Sequence, residues 1–127
     1  MTYKIVLFVV LLMSSCTPKF YKSSIYFGLD IPNGEIVSEK DWENFVEKTV
    51  TPRFSAGLSI YEVTGKWRDS ESGETISEKS KNIVLFYPRK EKKKANRGIE
   101  EIRETYKKEF NQQSIMRVDY GKVKVSF

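Results

Sequence analysis

Pro52 constrains this chain more than any other residue. Its ring removes a backbone donor and clashes with the preceding turn, so the amphipathic segment before it must end there. That segment is predicted to be a helix. Ser38 is placed as its N-cap, with Asp41 three residues on in the position of a capping box. Val37 is set to staple onto Trp42, and Glu39 and Asp41 suit the positive end of the helix dipole. Trp42, Phe45, Val46, Thr49 and Val50 recur at helical spacing and make one buried stripe. On that stripe Trp42 reads as core, not as a ligand contact. Beyond Pro52, Gly57 and Gly65 bracket a strand. Within it Leu58 and Ile60 point to one face, Tyr61 and Val63 to the other.

The other elements follow from the same two periods. Ser24 to Leu29 alternates as a first strand and is turned by Asp30 to Gly34, whose Asn-Gly pair is a strong turn signal. Arg68 to Glu74 is a polar loop joining two antiparallel strands. The third strand runs from Thr75 to Tyr87; its apolar run Ile83 to Tyr87 implies a central position. A second helix spans Lys92 to Phe110, with Ala95, Ile99, Ile102, Tyr106 and Phe110 facing inward. Gly98 weakens its first part by about 1 kcal/mol. The last strand begins at Ser114. Its apolar set moves from Met116 and Val118 to Val123, Val125 and Phe127, a slip that a bulge at Tyr120-Gly121 produces.

The order β-α-β-β-α-β predicts an α+β domain of ferredoxin-like type. Two helices cover one face of a four-stranded antiparallel sheet. Ile25, Phe27, Leu58, Ile60, Met116 and Val118 are expected on the helix side. Tyr26, Tyr61, Val63, Arg117 and Asp119 are expected on the other side. A bare face of that kind calls for a partner, such as a second copy of the domain or another envelope protein.

The first residues are read as a targeting segment. Lys4 precedes a nine-residue apolar run, Ile5 to Met13, too short to span a bilayer. Met13-Ser14-Ser15-Cys16 resembles a bacterial lipobox. The expectation is a signal peptide over residues 1–15, lipidation at Cys16, a polar tether over 16–23 and one domain over 24–127. Cleavage of residues 1–15 removes Lys4 and lowers the net charge from +5 to about +4. The protein is thus expected to be lipid-anchored at the bacterial cell envelope.

YFGLDIPNG, Trp42 to Phe54 ending in VTPRF, GLSIYEVTGKWRD and YKKEFNQQSIMRVD resemble DUF3574, a family of small bacterial exported proteins of unknown function. The resemblance runs from about Ile25 to Phe127. It implies no particular activity.

The composition narrows the chemistry. The chain has no His, and its single Cys is assigned to lipid. Ser-His, Cys-His and His-metal sites are therefore not expected. Asp69, Glu71 and Glu74 do not have the spacing of a Ca²⁺ loop, no glycine-rich phosphate cradle is present, and no cofactor is expected. The basic run Pro88 to Lys94 reads as a solvated helix start, not as a nucleic-acid site. Asp119 beside Arg117 is the best-placed candidate base, although a surface ion pair is the plainer reading.

Two function classes stay open. One is a non-enzymatic binding domain that uses the sheet face holding Tyr26, Tyr61, Trp67, Arg117 and Asp119. The other is a small cofactor-independent enzyme or ligand-binder of the dimeric α+β barrel type, with a cavity lined by Tyr26, Tyr61, Trp67 and Arg117.

Overall fold

A computed structural model describes residues 19–127. The predicted signal segment and Cys16 lie outside the described residues. The elements are β1 (Phe20–Gly28), α1 (Glu39–Phe45), β2 (Ser59–Arg68), β3 (Thr75–Pro88), α2 (Lys92–Glu109) and β4 (Met116–Val123). The strands form one antiparallel sheet in the order β2-β3-β1-β4, with both helices on one side. This is the predicted α+β, ferredoxin-like arrangement, and β3 is central as its apolar run requires.

β1 begins at Phe20, four residues before the expected start. Phe20 to Ser23 pair with Leu85 to Pro88 on one side. They therefore belong to the sheet and not to a tether, and the folded domain starts before residue 24. The whole sheet, both helices and the buried core are built from residues 20–127.

Ser38 caps α1 as expected, its hydroxyl accepting from the Asp41 N–H at 3.1 Å. The helix then widens into a π turn over Val46–Val50, closed by the Thr51 N–H on the Val46 carbonyl at 2.9 Å. Pro52 has no N–H to continue a ladder. The widened turn buries both Thr49 and Val50. Arg53 ties this end to α2. It donates to the Thr49 carbonyl at 2.7 Å and to Glu101 at 2.8 Å. Phe54 lies over Gly98, where an added Cβ would stand 3.4 Å from the ring. The glycine that weakens α2 thus lets the α1–β2 loop close on it.

The core lies between the helices and the face of β1 that holds Ile25 and Phe27. Phe27, Trp42, Phe45, Tyr106 and Phe110 pack mostly edge to face, with Phe27 and Tyr106 centroids 4.8 Å apart. Tyr106 is fully buried, and its hydroxyl donates to the Gly28 carbonyl at 2.7 Å. Burial pushes its phenol well above the ordinary value.

In β4 the predicted bulge is present. Ser23 faces Asp119, but Lys22 faces Gly121, leaving Tyr120 as the extra residue. Gly121 takes a left-handed φ of 74°, which a side chain rarely adopts. The strand phase differs from expectation. Ile25 pairs with Arg117, and Ser23 with Asp119, so both charged residues lie on the helix side. Met116 and Val118 take the open side. Their alternation with polar residues fixes the two sets but not which set faces the helices. Hydrogen-bond partners on α2 decide that.

Candidate functional site

The open face is set by the register. Met116, Tyr26, Asn82 and Tyr61 form one row across β4, β1, β3 and β2. Val118, Ser24, Val84 and Ser59 form the next. Tyr61 and Met116 are each 56% exposed, and Phe86 and Tyr120 are about half exposed. Asn82 is buried at the centre, its amide donating to the Ile25 carbonyl at 3.2 Å. Burial and the neighbouring Tyr120 push the Tyr26 phenol above its ordinary value. The Lys22 ammonium stands 4.3 Å from the Tyr120 ring centre, a cation–π contact.

Trp67 shares this side of β2 but not this location. It pairs with Ile76 six residues beyond Tyr61, about 20 Å along the strand. The β1 pairing ends at Gly28 opposite Ser80, so the hairpin from Gly65 to Glu78 projects past the sheet. Asp69 closes its tip by accepting from the Glu71 and Ser72 N–H groups, and the Ser72 side chain, followed by these N–H groups, holds its carboxyl below the usual range. The loop after Arg68 therefore sits at that tip and does not cover Tyr26 and Tyr61.

Arg117 and Asp119 belong to a separate polar chain beneath α2. Ser23 is fully buried and donates to Asp119 at 2.6 Å. Its single proton is thereby used, so the Tyr87 hydroxyl donates to Ser23 at 2.8 Å. The Arg117 guanidinium donates to Asp119 at 2.9 Å, to Glu100 at 3.1 Å and to Asn96. Burial acts against both charges, but the mutual ion pair and hydrogen bonds outweigh it. Asp119 is held below its ordinary range and Arg117 above. A carboxyl with a lowered pKa is a weak base, so this chain is suited to fixing α2 on β4.

The structure thus brings Tyr26 and Tyr61 together, sets Trp67 apart on the hairpin, and moves Arg117 and Asp119 to the other side of the sheet. Sequence reasoning missed Ser23, Tyr87, Asn96 and Glu100. Parity from Ile25 reaches Ser23, and parity from Ile83 reaches Tyr87, so two of the four were accessible to it.

A further buried charge, Lys81, sits near the other end of the sheet. It donates to Glu39 at 2.9 Å and to Glu62 at 2.8 Å. Burial lowers its pKa, but the two carboxylates more than compensate and raise it overall. Among the described residues no group of three or more His, Cys, Asp or Glu side chains is placed to hold a metal ion.

The lowered pKa of Asp119 has a pH signature. A depressed carboxyl contributes stability above its unfolded value that is lost as pH falls through the folded one. Acid titration of the melting temperature should therefore show a loss below about pH 4. Asp119→Asn should be less stable at neutral pH and lose less on acidification. An unchanged acid limb would mean that Asp119 is not held by Arg117 and Ser23.

The chain is similar in fold to a phage SAM lyase. The structure of that enzyme with S-methyl-5'-thioadenosine is 15% identical at a TM-score of 0.57, the match covering 85% of this chain and 90% of that one. The apo state is 16% identical at a TM-score of 0.56, covering 91% and 98%. No curated protein matches the chain. The family model described as protein of unknown function (DUF3574) matches residues 22–127, which include nearly all of the sheet, both helices and both faces. The chain belongs to the DUF3574 family.

Proposed function

We propose that this protein is a lipid-anchored domain of the cell envelope that works by binding, and that its open sheet face pairs with a second copy. The observation that carries the pairing is the exposure of Tyr61, Phe86, Met116 and Tyr120 on one side of one sheet. Four strands about 4.8 Å apart and about eight residues long make a face of about 500 Å². Two such faces bury about 1,000 Å², the lower size of a specific interface. A fragment beginning at Thr17 contains the whole sheet and core and suits sedimentation. Tyr61→Ala with Met116→Ala should weaken self-association by about 2 kcal/mol or more while the melting temperature hardly moves. A wild-type fragment that stays monomeric at high concentration rules the pairing out. The anchor rests on Met13-Ser14-Ser15-Cys16. A fatty-acid label should mark the full chain and be lost in Cys16→Ala.

The likeness to phage SAM lyase favours a second reading, a small cofactor-independent enzyme or ligand-binder of the dimeric α+β barrel type. Calorimetric titration with S-adenosylmethionine separates the two. Saturable heat would support the second reading, and none would leave the first.

A further inference from the structure

One end of the molecule is strongly basic, and it is the end at which the described chain begins. The Arg89 N–H donates to the Lys19 carbonyl at 2.8 Å, so the basic run Arg89 to Lys94 lies against the entry to β1. Phe20 pairs with Val123, and Tyr21 with Lys122, which brings the end of β4 to the same place. Lys19, Arg89, Lys90, Lys93, Lys94 and Lys122 are all exposed there, and Lys124 follows. Glu91 is the one carboxylate among residues 86–94. Lys92 stands over the Tyr21 ring at 4.7 Å. Fully exposed Phe127 lies 6.4 Å from the Phe20 ring. The opposite end of β1 is mixed in charge instead, with Asp30, Glu35 and Glu39 near Lys79, Lys81 and Lys107.

We propose that this basic end, with Phe127 beside it, docks on an anionic lipid surface. The inference deepens the lipid-anchored reading and rests on it for its geometry. Cys16 and Lys19 are three Cα–Cα steps apart, with Thr17 and Pro18 between them, a reach of about 10 Å when extended. That is about one Debye length at physiological salt, so an anchored domain holds these cations where headgroup charge still acts on them. Basic residues beside an exposed aromatic are also the composition that binds the membrane interface. The anchor and the patch together orient the domain, with the opposite end of β1 and the projecting hairpin turned away from the bilayer.

The test uses the fragment from Thr17, which lacks Cys16 and so carries no lipid. It is sedimented with vesicles of phosphatidylcholine alone and with vesicles of phosphatidylcholine and phosphatidylglycerol in equal parts. Binding is expected only to the second kind and should fall as salt rises. Lys90→Glu with Lys93→Glu and Lys94→Glu should weaken it by about tenfold or more. Lys107→Glu with Lys108→Glu, at the far end of α2, should leave it unchanged. Melting temperatures of both variants confirm that they fold, and Gln replaces Glu in any that does not. Binding that ignores phosphatidylglycerol, or that the far-end variant weakens equally, overturns the proposal. So does tighter binding to duplex DNA than to the vesicles at the same salt. Fatty-acid labelling of the full chain reports on the anchor separately. A labelled chain whose fragment ignores anionic vesicles keeps the anchor and loses the patch. An unlabelled chain whose fragment binds them keeps the patch and loses the anchor.

Discussion

Trp42→Ala is expected to remove about 3–5 kcal/mol of folding stability, the cost of truncating a buried aromatic. A domain of this size has about 5–15 kcal/mol in total, so the variant should be partly or wholly unfolded at physiological temperature. Trp42 is 2% exposed and meets Phe27 at 5.3 Å and Tyr106 at 6.1 Å between ring centres. The cavity would open between α1, β1 and α2, whose own rings are held by Phe45 and by the Tyr106 hydrogen bond to Gly28. Little can collapse into it. Denaturant melts of the fragment from Thr17 measure the loss. A change below about 1 kcal/mol would show that Trp42 is not a core residue.

Arg117→Ala and Tyr61→Ala should behave in opposite ways. Arg117 has 15% of its side chain exposed and satisfies Asp119, Glu100 and Asn96 at once. Its loss should cost about 1–3 kcal/mol, because hydrogen bonds to charged groups are lost and partly buried partners are left unpaired. Arg117→Lys should rescue only part of this, since an ammonium lacks the planar fork that reaches three partners. Tyr61 is exposed and should cost under about 0.5 kcal/mol. Thermal melts of the three variants decide. Equal small effects would return Arg117 to the open face, the placement that alternation alone suggested.

That contrast marks where the sequence could be read and where it could not. α1 was legible because its cap, its stripe and Pro52 agree. The bulge was legible because Gly121 and the slip in apolar phase coincide. The start of β1 was not, because Tyr21 to Ser23 look like a polar spacer. Ser23 is in fact buried, its hydroxyl satisfied by Tyr87 and Asp119 across two other strands. The orientation of β4 was hidden for a similar reason. Arg117 and Asp119 read as solvent residues until Glu100 and Asn96 on α2 are known to await them. Buried polar groups follow their partners, and those partners are distant in sequence. The candidate site was therefore half legible: Tyr26 and Tyr61 share a row, while the charged pair belongs to the packing of α2.

The bulge also determines which changes of length β4 can absorb. Loss of Tyr120 alone would leave Asp119 opposite Ser23 and Val123 opposite Phe20, because Tyr120 is the residue without a counterpart. Loss of Val118, with Asp119 kept at Ser23, would instead rotate Arg117 to the open side and away from Glu100. The strand thus has one position where a residue can be lost without shifting the register of the rest. Drift in chain length among proteins of this fold should collect there.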